Sequence, residues 1–194
     1  LEFVDLGGGF GIPYEKLNDQ PRLDMVELGK QLDEVFEQFV KDYGKEITFK
    51  IEPGRYVSAE CGVLLGTVTA VKHNGEDKYI GTDIGFNVLQ RPVMYDSHHD
   101  IEVYNDSDNT EDVTVVGNIC ESGDILAKHR ICPEMHVGDT MAMLDAGAYG
   151  YCMASNYNNR LRPAEVLIGE NGEAVLIRER DELEDLTRHM KSIK

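Results

Sequence analysis

No stretch of this 194-residue chain approaches the roughly 18 continuous apolar residues that a membrane-crossing helix requires, and no charged-then-apolar leader opens it. A cytosolic setting is therefore the default expectation. Basic runs are also missing: Asp and Glu outnumber Lys and Arg by 36 to 19, for a formal net charge of −17. Such a surface repels polyanions, so neither nucleic acid nor a membrane is expected as a partner. Cysteine is scarce and scattered. Cys61, Cys120, Cys132 and Cys152 form no C-x-x-C pair, which excludes a zinc ribbon or a disulfide framework. Three of them read as buried thiols, while Cys120 is set apart by its neighbours. There is no internal repeat, low-complexity tract or flexible linker, so the parts of the chain are expected to pack together.

What is present has two grammars. Leu1–Leu6 reads as a strand with no lead-in, as if the chain started in mid-domain, and feeds the glycine run Gly7-Gly8-Gly9-Phe10-Gly11. Apolar residues at Met25, Leu28, Leu32, Val35, Phe36, Phe39, Val40 and Tyr43 keep the 3–4 spacing of an amphipathic helix. Asp24 with Glu27 suggests a capping box and Gly44 supplies the stop. Ile47–Ile51 reads as a short buried strand before the turn Glu52-Pro53-Gly54-Arg55. Strand, glycine turn, helix, strand, turn predicts a parallel α/β sheet or barrel over residues 1–61.

From residue 62 to 194 the pattern becomes β-rich, predicting an antiparallel sandwich or barrel closed by a terminal helix from about Asp181. Strands are expected over 63–72, 79–84, 101–104, 113–117, 140–145, 165–168 and 174–178. Asn74-Gly75 and Asn171-Gly172 are the hairpin signals.

The glycine run fails both the dinucleotide and the P-loop patterns. It remains a strand end where backbone amides can approach an anion without a Cβ in the way. Glu52-Pro53-Gly54-Arg55 ends a second strand with a carboxylate and a guanidinium, and two such strand ends together can build one phosphate-type site. Cys120-Glu121-Ser122-Gly123-Asp124 places a thiol beside a carboxylate, and a glycine-rich aromatic turn, Asp145-Ala146-Gly147-Ala148-Tyr149-Gly150, follows. His98-His99 invites a metal reading, but adjacent histidines do not readily share one ion and no third ligand lies at helical spacing. No metal is expected.

Together with Arg91-Pro92-x-x-Tyr95-Asp96 and Ser155-Asn156-Tyr157-Asn158, these motifs occur in the order found in diaminopimelate decarboxylases, which the chain resembles through nearly its whole length. That resemblance implies the C-terminal part of a pyridoxal-phosphate-binding TIM barrel followed by a C-terminal β-domain. It implies pyridoxal 5'-phosphate as cofactor and decarboxylation of meso-2,6-diaminopimelate to L-lysine, the last step of lysine biosynthesis, as activity. Gly7, Gly8, Gly9, Gly54 and Arg55 would receive the cofactor phosphate with Tyr149, and Glu52 would face the ring nitrogen. Arg55, Arg91, Tyr95, Glu121 and Tyr149 would hold the substrate. Cys120 would be the acid that protonates the carbanion, and a thiol with a pKa near 8.5 is mostly protonated at neutral pH. The Cys-Glu pair would serve the neighbouring subunit's site, implying a homodimer with shared active sites.

The family's cofactor lysine belongs to an earlier barrel strand, so the chain is expected to be the C-terminal half of a longer enzyme, inactive alone. Asp83-Ile84-Gly85-Phe86-Asn87-Val88 departs from the usual small-residue version and puts the presentation of Arg91 and Tyr95 in doubt. Two alternatives stay open. One is a decarboxylase of the same fold acting on ornithine, arginine or a polyamine precursor; the other is a noncatalytic regulatory partner of such an enzyme.

Overall fold

The computed structural model describes residues 1–192. β1 (Phe3–Asp5) leads into the glycine run, and α1 (Met25–Tyr43) follows. Asp24 caps that helix, its carboxylate accepting from Val26 N–H and Glu27 N–H, and Gly44 ends it at φ 80°. Only half of the expected capping box forms, because the Glu27 side chain accepts from Gln31 instead. β2 (Thr48–Lys50) pairs with β1 in parallel, and α2 (Gly54–Ser58) begins at the second turn.

Within this chain β2, expected as a buried strand, leaves Thr48 and Lys50 exposed. It belongs to a two-stranded sheet covered by a single helix, and Phe49 alone is tucked in, stacked on Phe36 at 4.0 Å and meeting Phe39 edge-on. One helix on two strands offers too little surface to bury either face fully.

The larger sheet contains β3 (Leu64–Asn74), β4 (Asp77–Thr82), β5 (Ile101–Tyr104), β6 (Thr110–Val116), β7 (Ile125–Pro133) and β8 (Thr140–Met143), in the spatial order β5-β8-β3-β4-β6-β7. α3 (Arg91–Tyr95) lies between β4 and β5. The edge strands β5 and β7 approach each other, so the sheet curls nearly closed around Val68, Ile80, Leu89, Val115, Leu126 and Met141. It is mixed rather than antiparallel, because β4 and β6 run parallel. The chain between them crosses through α3 and β5 over residues 83–109, long enough to return in the same direction, which a tight hairpin cannot do.

β7 is the strand that sequence pattern does not reveal. His129 sits at φ 48° and the pairing register with β6 shifts between Val113 and Val115, which breaks the period-2 alternation that marks a strand. β9 (Glu165–Ile168) and β10 (Ala174–Arg178) form a separate hairpin whose turn holds Gly172 at φ 80°. α4 (Leu183–Thr187) has a complete capping box between Glu182 and Asp185. Of the thiols expected inside, only Cys132 is buried, with its pKa pushed up to about 11 by burial; Cys61 and Cys152 are exposed. Cys61 ends one short 3-10 turn and Cys152 lies within another, so neither occupies a sheet position that would turn it inward.

Candidate active site

The two early turns meet. The ladder between β1 and β2 runs on into the glycine run: Leu6 N–H donates to the Lys50 carbonyl at 3.0 Å and Glu52 N–H to the Gly7 carbonyl at 2.8 Å. A Cβ on Gly8 would lie 2.9 Å from the Glu52 carbonyl oxygen, so only glycine permits this approach. Gly7 and Gly9 take φ values of 71° and 90° and border open space.

The Asp145–Gly150 turn docks on the same place from far along the sequence. Gly147 N–H donates to the Ala59 carbonyl at 3.0 Å and Ala146 N–H to the Gly62 carbonyl at 2.7 Å, which fastens the turn to the end of α2. Ile12, Ala59 and Ala148 form one small apolar cluster with Tyr14 and Tyr56 against it, tying all three motifs together. The Tyr149 hydroxyl, on a half-exposed side chain, is thereby brought 4.0 Å from the position that a Gly54 Cβ would occupy. Gly8 with no room for a Cβ, Gly7 and Gly9 at positive φ beside open space, amides at two strand ends and a facing hydroxyl make a cradle that fits an anionic tail. Glu52 is exposed at its rim.

An ion network holds this assembly. Lys16 Nζ pairs with Asp145 and with Glu60 (3.2 Å), while Arg22 grips both Glu60 oxygens at 2.6 and 2.8 Å. Those Arg22 contacts, with burial opposing and Lys16 assisting, lower the Glu60 pKa to about 2. Asp100, almost fully buried, accepts from Lys16 N–H at 2.7 Å and anchors the segment after the glycines to β5.

Arg91 is not a surface loop arginine. It opens α3, is only 4% exposed, and lies over the Tyr14 ring at 4.7 Å; Arg55 faces the same ring from 6.0 Å. Its Nη1–H donates to His99 Nε2 at 3.2 Å. Burial raises the Tyr14 pKa, with Arg91 and Arg55 opposing, and burial lowers that of Arg91. Tyr95, at the other end of the helix, is 62% exposed and stands apart from this cluster.

Cys120 and Glu121 lie elsewhere. Asp124 is buried and accepts from Ile119 N–H (2.8 Å) and Phe86 N–H (2.7 Å), folding the 117–124 loop over the Asp83–Val88 segment. A Cβ on Gly85 would meet Asp124, Ile119 and Asn118 within about 3 Å, so the departure seen in that segment shapes the seat of the Cys120 loop. Exposed Cys120 lines an open cleft of about 470 Å³ with Asn118, Asn158, Asn159 and Arg160. The Tyr157 hydroxyl reaches Glu121 at 3.4 Å. Among the described residues no hydrogen bond or ion pair joins Cys120 or Glu121 to Gly8, Arg55 or Tyr149. The site residues therefore fall into two groups, one around the cradle and one around the thiol.

Tyr14, Lys16, Glu60 and Asp100 were not singled out from sequence, and His99 was weighed only as half of a metal pair with His98. Ile12-Pro13-Tyr14 has no periodicity to read, and Tyr14 meets His99 only through the fold.

The family described as "Pyridoxal-dependent decarboxylase, C-terminal sheet domain" matches residues 35–147, and that described as "Pyridoxal-dependent decarboxylase, pyridoxal binding domain" matches residues 1–59. The chain belongs to the pyridoxal-dependent decarboxylase family. Within it, the chain is 42% identical to the diaminopimelate decarboxylase of Methanothermobacter thermautotrophicus over 97% of its own length and 44% of the relative's. To that of Archaeoglobus fulgidus it is 44% identical, with 96% and 44% covered. The solved diaminopimelate decarboxylase from M. jannaschii in co-complex with L-lysine superposes with a TM-score of 0.88 at 37% identity, covering 99% of this chain and 44% of that one. A lysine/ornithine decarboxylase from Vibrio vulnificus, at 20% identity and a TM-score of 0.69 over 82% of this chain and 41% of that one, shares the fold alone. The chain thus spans about 44% of the length of the curated relatives it matches.

Proposed function

We propose that the protein carrying this chain decarboxylates meso-2,6-diaminopimelate to L-lysine and CO2 with pyridoxal 5'-phosphate, in the cytoplasm. The observation that carries the reading is the meeting of the Gly7–Gly9 run, the Glu52–Arg55 turn and Tyr149 at one cradle, with buried Arg91 one ring away. Residues 1–61 supply the C-terminal part of the pyridoxal-binding barrel, and residues 62–194 the β-domain with its closing helix.

Pyridoxal phosphate, when bound, supplies the electron sink for the pair left at Cα as CO2 departs. The chain's residues do the rest. Amides of Gly7, Gly8, Gly9, Gly54 and Arg55 with the Tyr149 hydroxyl hold the phosphate, and the Glu52 carboxylate keeps the ring nitrogen protonated. Arg91, with its planar fork, receives the distal carboxylate of the substrate, and Tyr95 and Glu121 hold its other polar groups. The Cys120 thiol gives its proton to the carbon that has lost CO2. Cys120 and Glu121 make no hydrogen bond or ion pair to the cradle among the described residues, and in this reading the pair serves the partner's site in a homodimer.

Release of CO2 by the full natural protein tests the reading. With cofactor present, meso-diaminopimelate is expected to exceed lysine, ornithine and arginine in kcat/KM by at least about 10²-fold, since a site built around a second charged head rejects ligands lacking it. Preference for ornithine or arginine would favour the same-fold alternative. Absence of turnover on all four, with binding to a separate active decarboxylase, would favour the regulatory one.

A further inference from the structure

Resting on the reading of Arg91 as the distal-carboxylate ligand, we propose that Tyr14 and His99 are positioning residues that fix Arg91 for that carboxylate and set its separation from Arg55. His99 is fully buried, and its Nδ1 lies 2.7 Å from the Leu144 carbonyl oxygen, which can only accept. The ring proton therefore sits on Nδ1, and Nε2 offers its lone pair to Arg91 Nη1–H at 3.2 Å. A β-strand end thus dictates a tautomer, and the tautomer dictates where the guanidinium is held. Burial drives the His99 pKa down to about 4, the Leu144 carbonyl opposing and Arg91 adding to the fall, so the ring stays a neutral acceptor at physiological pH.

Tyr14 supplies the second support. Its ring lies 4.7 Å from the Arg91 guanidinium carbon and 6.0 Å from that of Arg55, and meets the His99 ring edge-on at 5.4 Å. One aromatic ring therefore attracts two cations that repel each other, and holds them no more than about 11 Å apart. The contacts that carry the proposal are those of the Tyr14 ring with the two guanidinium groups, and the Tyr14→Phe variant below separates ring from hydroxyl. The Ile12–Ala59–Ala148 cluster and the Asp100 anchor on Lys16 N–H fix the segment that carries Tyr14 from both sides.

The test is ligand binding by the full natural protein loaded with cofactor, measured by calorimetry for L-lysine and for cadaverine, the diamine lacking the carboxylate. Wild type is expected to prefer L-lysine. His99→Leu and Tyr14→Leu are each expected to weaken L-lysine about tenfold while leaving cadaverine within about twofold, and Tyr14→Phe to keep the wild-type preference. If His99→Leu does not fold, the two Tyr14 variants decide. Equal weakening of both ligands, or a preference that survives Tyr14→Leu, overturns the proposal alone. A wild type with no preference overturns the reading of Arg91 and the proposal with it.

Discussion

Cys120→Ala lowers kcat for decarboxylation by about 10²–10⁴-fold, the usual worth of a positioned proton donor, and leaves cofactor affinity unchanged. The thiol is exposed in a polar cleft and takes no part in the sheet core, so its loss costs the fold within about 0.5 kcal/mol. Nor does it touch the cradle, so steady-state kinetics and cofactor titration must separate: turnover falls while titration matches wild type. Turnover near the wild-type value would remove Cys120 from the mechanism.

Gly147→Ala destabilises the full natural protein by about 3 kcal/mol, the upper range for forced overpacking. An added Cβ would lie 2.0 Å from the Ser58 carbonyl oxygen and 3.0 Å from that of Ala59, both backbone atoms. The turn cannot retreat without breaking the bonds from Gly147 N–H to Ala59 and from Ala146 N–H to Gly62. Retreat would also carry Tyr149 away from Gly54, so cofactor affinity should fall with stability. Gly29→Ala is the control of opposite sign. It lies inside α1 with nothing within 4 Å, so alanine should stabilise by about 0.5–1 kcal/mol through helix propensity. Urea unfolding of the two variants checks both signs, and a neutral Gly147→Ala would refute the docking argument.

Local signals explain what was legible in the sequence. The α1 periodicity, Asp24 at its start and Gly44 at its end act within a few residues of one another, so pattern and structure agree. The glycine run and the Glu52 turn were readable as neighbouring turns because each follows a strand, and strand pairing alone brings them together. The parallel β4–β6 pair was hidden, since direction depends on where the crossover through α3 and β5 lands. His129 at positive φ hid β7 in the same way, by destroying the alternation that its residues would otherwise show. In the site, residue types with an evident chemical use stood out, whereas the supports did not. Lys16, His99 and Asp100 are ordinary in sequence and gain their meaning from Asp145, Arg91 and the Lys16 amide, which reach them only in three dimensions.

The claim on which the rest depends is that the two early turns and the Tyr149 hydroxyl grip one cofactor phosphate. Affinities of the full natural protein for pyridoxal phosphate and for pyridoxal, each measured for wild type and Tyr149→Phe, test it most directly. A hydroxyl donating to a charged phosphate contributes about 1.5–3 kcal/mol. The phosphorylated ligand should therefore weaken about tenfold or more in the variant, while pyridoxal binds both proteins alike. Equal affinities for pyridoxal phosphate in the two proteins, or equal losses for both ligands, would contradict the account.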